Sequence, residues 1–251
     1  RENVYLFATG DSLEFLSYSC SFFIVSIFFH SENVISFLLS KSRIYRMNCL
    51  ASSFFSPEDF LFPALISKSI YTWEILSLME EFLTTYCFSG IHGTVEPGVF
   101  LKNESQIEIA ENAYVESGAY LVGPCIIGPY TQIRHGAYLR GGVITSNHCI
   151  LGHCTEAKNV YLGNHAKAAH FAYLGDSVLG AGVNLGAGVR CANFRLDGKN
   201  ITVRSESLKI DTQRRKLGGF LGKNASVGCN TVINPGHHIP AYSMIGPGKT
   251  I

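Results

Sequence analysis

The densest run of chemistry-bearing side chains is Lys167-Ala-Ala-His170-Phe-Ala-Tyr173-Leu-Gly175-Asp176. It is followed by Asn184-Leu-Gly186-Ala187-Gly188 and then by Cys191-Ala-Asn193-Phe194. An imidazole, an ammonium, a phenol and a carboxylate thus fall close together, with two carboxamides shortly after. Imidazole has an unperturbed pKa near 6.5, so His170 can take up a proton near neutral pH, as general-base chemistry requires. A second group is His148-Cys149-Ile-Leu-Gly-His153-Cys154. Zinc favours imidazole and thiolate, and a catalytic zinc needs three protein ligands and a water. His237-His238 reads as a turn pair. Taken alone, a histidine on a turn is more often a surface residue than a base.

The elements that must hold these groups announce themselves by period. From Gly90 onward an aliphatic or small residue recurs every sixth place: Ile109, Val115, Leu121, Ile127, Ile133, Leu139, Thr145, Leu151 and Ala157. After one skipped position the series resumes at Leu162, Ala168 and Leu174, and after another at Leu179, Leu185 and Cys191. It ends with Leu221, Val227, Ile233, Ile239, Ile245 and Ile251. Glycine often follows directly, as at Gly128, Gly152 and Gly163. This is the hexapeptide signature of a parallel β-helix. Each hexad is a short strand plus a turn, and three make a coil of eighteen residues. A single hexad cannot bury its own face, so only stacking supplies a core.

Before Gly90 the pattern differs. Residues 47–90 read as a small helical arm: Ser56-Pro57-Glu58-Asp59 is a helix-start signal. Thr72 is placed to cap a second helix from Trp73 to about Tyr86, with Ile75, Leu76, Met79, Phe82 and Leu83 on one face. Residues 1–46 are rich in Phe, Ser and Ile, and Phe15 to Ser31 carries no formal charge. Three readings stay open for that segment: a membrane anchor, a packed apolar segment, or sequence upstream of a start at Met47. The expectation favours the last. Residues 91–251 are the β-helix, interrupted at 194–219 by an insertion holding Arg195, Lys199, Arg204, Lys209, Arg214, Arg215 and Lys216. A polar insertion in a repeat protein is expected to project from one face as a loop, often the binding face.

Composition narrows the function classes. Of 251 residues, 47% are apolar and 16% charged, enough for a substantial core. The net charge of +1 offers no general field for nucleic acid or an anionic membrane. Eight cysteines occur without a C-x-x-C pair or framework spacing, a usage that suits a reducing cytoplasm.

The Lys167–Asp176 and Asn184–Phe194 segments closely resemble the acetyltransferase domain of the bifunctional bacterial enzymes that make UDP-N-acetylglucosamine. They are similar also to the archaeal sugar-1-phosphate nucleotidyltransferases with acetyltransferase activity. The archaeal likeness continues through Asn193-Phe-Arg-Leu-Asp-Gly-Lys199 and Arg214-Arg215-Lys216-Leu-Gly, and overall spans roughly residues 123–251. The resemblance implies a mainly β fold, a left-handed parallel β-helix, with the helical arm before it. It implies His170 as the catalytic base and Tyr173 as an acceptor-binding tyrosine. Asn184 and Asn193 match sugar- or acyl-site asparagines, and Ala187 a residue contacting acetyl-CoA through its backbone. Gly128-Pro-Tyr-Thr-Gln-Ile-Arg134 resembles the segment whose arginine binds the sugar phosphate, and Glu156-Ala-Lys158 the one whose lysine does. Two cations suit a phosphorylated acceptor. Lys199 lies where archaeal relatives place a functional lysine, one residue out of step with the bacterial enzymes.

The implied reaction is acetyl transfer from acetyl-CoA to the amine of a hexosamine 1-phosphate, with no metal required. The implied assembly is a homotrimer with acyl-CoA grooves between chains. The nucleotide-binding domain of the bifunctional relatives has no counterpart before Gly90. One competing reading is therefore a non-catalytic subunit serving a separate nucleotidyltransferase. The other is a zinc enzyme like the γ-class carbonic anhydrases, whose histidine spacing His148 and His153 resemble. The third ligand of that family would fall near Asn112, and the nearest histidine is His135.

Overall fold

The computed structural model describes residues 4–9, 12–17, 49–205 and 208–251, and the chain divides into two compact units, residues 1–46 and 47–251. In the first unit, β1 (Val4–Thr9) and β2 (Ser12–Ser17) pair antiparallel, with Val4 opposite Ser17. Most of the uncharged Phe15 to Ser31 stretch lies outside the described residues. No helix among the described residues is long and apolar enough to cross a membrane.

The second unit is a parallel β-helix with three walls, as the hexads require. The first wall is an eight-stranded ladder running from Thr94–Val95 to Met244–Ile245. The second wall begins at Phe100–Lys102 and the third at Ile107–Ile109. These two belong to one sheet because the strands Glu156–Leu162 and Tyr173–Leu179 run through the corner between them. Gln132 pairs with Ile150 eighteen positions on, but Ile150 pairs with Lys167 and Lys167 with Asn184, seventeen positions each. The two skipped positions of the hexad series are therefore two shortened coils. Each loses its residue at the corner between the second and third walls. There Asn159 and Asp176 turn the chain alone, with φ of 54° and 46°.

The predicted inward series forms the core: Ile109, Val115, Leu121, Ile127, Ile133 and their successors are buried through Cys191 and again from Leu221 to Ile239, while Ile245 and Ile251 at the end of the stack are partly buried. Its polar member, Thr145, is buried and accepts from the Gly128 N–H at 2.9 Å. The interior also holds a second inward residue two places earlier in each hexad. Many of these are small, as at Ala113, Ala119, Cys125, Ala137, Cys149, Ala166 and Ala172, and others are larger, as at Ile107, Val143, Val160, Val183 and Val189. Burial pushes the Cys125, Cys149 and Cys191 thiols up to about 12, so they act as packing groups rather than nucleophiles.

The outward side of the third wall is apolar as well. Ile126, Ile144, Tyr161, Val178 and Phe220 stand in one column and are fully buried. Runs such as Cys125-Ile-Ile127 and Val160-Tyr-Leu162 mark a strand covered on both faces. The cover is the arm: α1 (Ala51–Phe54), a single 3-10 turn at Pro57–Asp59, α2 (Pro63–Ser67) and α3 (Glu74–Thr85). Ser56-Pro57 thus starts only one turn, with no side-chain cap. The second helix is found nearly as expected and buries Ile75, Leu76, Met79 and Leu83, each worth about 1.5–3 kcal/mol. Phe82 is half-buried against Phe62 and Tyr86. Thr72 is not the expected cap: its hydroxyl meets His238 Nε2 at 2.7 Å. The Glu74 carboxylate instead accepts the N–H groups of Ile70 and Tyr71.

The insertion is not the projecting polar loop expected. Thr202–Ser205 and Leu208–Asp211 form an antiparallel hairpin. Ile201, Val203 and Leu217 are buried in the same cluster as the arm. Alternating apolar residues outweigh the cations here, because the arm offers an apolar surface to cover.

Candidate active site

The first wall ends in a corner where His135, His153 and His170 follow one another on successive coils. The His135 and His153 rings stack at 5.8 Å, and His153 pairs in register with His170. His170 is exposed, and its carbonyl accepts the Gly188 N–H at 3.0 Å, which ties it to the next coil. Phe171, with φ of 51°, makes the turn. The chain then enters the second wall at Tyr173, which is half-buried and points outward in a column with Glu156 and Arg190. Burial, then the neighbouring Glu156 and Asp176 carboxylates, raise the Tyr173 phenol above its usual range, so it stays protonated at neutral pH.

At the far edge of the second wall sits a polar cluster. Asp176 is 2% exposed. Its Oδ1 accepts Lys158 Nζ at 3.0 Å and Asn159 Nδ2 at 3.0 Å, and its Oδ2 accepts Asn193 Nδ2. A buried carboxylate needs such partners. The structure therefore brings together Lys158, Tyr173 and Asn193, and sets His170 one corner away, at the end of the first-wall strand Lys167–His170 that precedes Tyr173. Between these edges the outward side chains of the second wall, Glu156, Tyr173 and Arg190, are half-buried or exposed. Asn184 is exposed on the first wall beside Lys167, and half-buried Ala187 lies one coil beyond His170.

Two expected residues stand elsewhere. Arg134 leaves the first wall and donates through Nε and Nη2 to Gln132 Oε1. It lies two coils before His170 and a wall away from Lys158. Lys199 is exposed in the insertion, where its backbone N–H donates to Asp197 Oδ1 at 3.2 Å. Among the described residues no hydrogen bond or ion pair joins its side chain to the Asp176 cluster. A cation that the motif comparison passed over, Arg140, takes the place expected of Arg134. Its N–H donates to the Ala157 carbonyl at 2.8 Å, so Arg140 sits one coil from Lys158 in the same column. Its guanidinium pairs with Glu156 at 2.7 Å. The eighteen-residue spacing between Arg140 and Lys158 was the available signal.

His148 and His153 do not share a site within one chain. His148 stacks between Tyr130 and His165 at the opposite corner of the first wall, roughly 15 Å of extended chain from His153. Among the described residues no group of three or more His, Cys, Asp or Glu is placed to hold a metal ion. His238 is not a turn residue either: it stacks on Phe220 at 4.8 Å and is largely enclosed by the arm.

No family model matches the chain. A bifunctional sugar-1-phosphate nucleotidylyltransferase/acetyltransferase from Sulfurisphaera tokodaii is 37% identical over 179 residues, covering 71% of this chain and 44% of that protein. YaiX of Escherichia coli, described as an uncharacterized acetyltransferase, is 34% identical over 162 residues, covering 57% of this chain and 69% of that protein. The chain thus spans less than half of the first relative and about two thirds of the second. A solved UDP-N-acetylglucosamine acyltransferase from Francisella novicida is similar at 13% identity with a TM-score of 0.39, over 62% of each chain.

Proposed function

This chain belongs to the family of the acetyltransferases just described, and from that membership we propose that it moves an acetyl group from acetyl-CoA to the amine of a hexosamine 1-phosphate. The observation that carries this reading is the second wall, framed by His170 at one edge and by Lys158, Asp176 and Asn193 at the other. The amine nitrogen attacks the thioester carbonyl and forms the C–N bond. The His170 imidazole takes the proton that nitrogen must lose. The C–S bond then breaks, and coenzyme A leaves as a thiolate that is protonated to the thiol. Lys158 meets the acceptor phosphate, with Arg140 better placed than Arg134 to join it, and Tyr173 donates to a sugar hydroxyl. Asn184 and Ala187, on the far side of the His170 corner, contact the acyl donor. Lys199, exposed in the insertion, is assigned to a neighbouring chain's site in a homotrimer. Buried thiols agree with a reducing cytoplasm as the place of action.

The test is thiol release from acetyl-CoA with glucosamine 1-phosphate and galactosamine 1-phosphate. His170→Ala should lower kcat by about 10²–10⁴-fold with the fold intact. Undiminished turnover in that variant rejects the base. No thiol release by the wild-type chain with any aminosugar phosphate favours instead an assembly role beside a nucleotidyltransferase.

A further inference from the structure

The arm, the insertion and the two shortened coils meet at one corner, and a chain of charged and amide groups runs through it. Glu80 on α3 accepts from Arg214 Nη2 at 2.6 Å and from Asn159 Nδ2 at 2.7 Å. Arg214 also donates through Nη1 to Ser77 Oγ at 2.7 Å, one turn before Glu80 on the same helix face. The Asn159 amide nitrogen donates a second time, to Asp176 Oδ1 at 3.0 Å, the same oxygen that Lys158 Nζ meets. Asn159 therefore spends its two N–H bonds on two carboxylates, one from the arm and one from the β-helix. It is 5% exposed, and its left-handed backbone fixes the direction of its side chain. The charges balance along the chain: Arg214 against Glu80 at one end, Lys158 against Asp176 at the other. Without the Glu80 charge, Arg214 keeps only the Ser77 hydroxyl and a neutral acceptor, and the Asn159 amide is held less firmly. One of the donors that fix the Asp176 carboxylate is thereby weakened.

We infer that Glu80 and Arg214 are positioning residues. Through Asn159 they hold the Asp176 carboxylate, and through Asp176 they fix Lys158 and Asn193 toward the acceptor. The inference rests on the reading of Lys158 and Asn193 as acceptor-binding groups. It gives the helical arm a part in acceptor recognition.

Two measurements on the full chain test it. In acetyl-transfer assays Glu80→Gln raises the KM for glucosamine 1-phosphate about fivefold, while the KM for acetyl-CoA and kcat stay near wild type. Arg214→Met gives the same split. The double variant is no worse than either single one, because both cut one chain of contacts. The second measurement needs no turnover. In competitive amine labelling with trace acetic anhydride, Lys158 of Glu80→Gln reacts about threefold faster than in wild type, because its ammonium is less firmly held, while Lys68 and Lys249 are unchanged. If the wild-type chain releases no thiol, the proposed reaction fails and the labelling alone decides the positioning role. Unchanged Lys158 labelling overturns it. So does a rise of both KM values together with a lowered Tm.

Discussion

Asp176 is the residue whose environment asks most of its neighbours. Its enclosed carboxylate takes an ammonium and two carboxamides, so removing its charge weakens every one of them at once. Asp176→Asn should cost about 1–3 kcal/mol by denaturant midpoint and should weaken acceptor binding more than donor binding. Tyr161 offers a cleaner comparison away from the site. Its hydroxyl accepts the Phe62 N–H at 2.7 Å, where the arm crosses the third wall. Tyr161→Phe leaves that donor unpaired and should destabilise by about 1–3 kcal/mol in the same assay, with acetyl transfer unchanged at temperatures where the variant is folded. At this scale the sequence was only partly readable. Tyr173, Lys158 and Asn193 could be named because their motif is local, and the chain brings them to one wall. Arg134 could not be told from Arg140 by motif matching, because the two lie one hexad apart. Only the coil register separates them.

At the scale of elements the hexad count was nearly sufficient. Stacked aliphatic side chains leave little freedom in register, and each skipped position marked a real shortening of the coil. The second, smaller inward layer escaped notice because alanine and cysteine carry little periodic signal. The arm's docking face was visible as unbroken apolar triplets on one wall in three, a pattern that the search for hexads alone passes over. The insertion was misread because seven cations drew attention from Ile201 and Val203. Close packing between coils yields a sharp prediction at Gly152. A Cβ there would lie 1.9 Å from the Ala169 carbonyl oxygen, and its next nearest atoms are also Ala169 backbone, which cannot swing aside as a side chain can. Gly152→Ala should cost about 3 kcal/mol or more and should depress Tm, whereas the same change at Gly246, where the nearest atom is a lysine side-chain carbon at 3.9 Å, should be nearly silent.

The whole molecule should respond to acid through the junction of arm and β-helix. Burial, the leading cause, lowers the pKa of His238 from 6.5 to about 4, and His237 beside it is lowered too. His238 is thus held neutral, donating through Nδ1 to the Gly236 carbonyl and meeting the Thr72 hydroxyl at Nε2. In the unfolded chain it takes up a proton near 6.5. Stability is therefore greatest above that pH and falls as the pH drops toward 4, by on the order of 3 kcal/mol from this residue. Urea midpoints measured from pH 7.5 to 4 should show the decline, and His238→Phe should flatten it. A second whole-molecule property follows from the neck of the insertion. The first wall carries on from Asn184 to Ser226 in unbroken register, although 42 positions separate them, and the Leu217 N–H closes on the Asn193 carbonyl at 2.9 Å. The neck thus works as a fixed handle: the segment hung from it can differ in length without shifting a coil, while Ile201, Val203 and Arg214 fasten the present one to the arm.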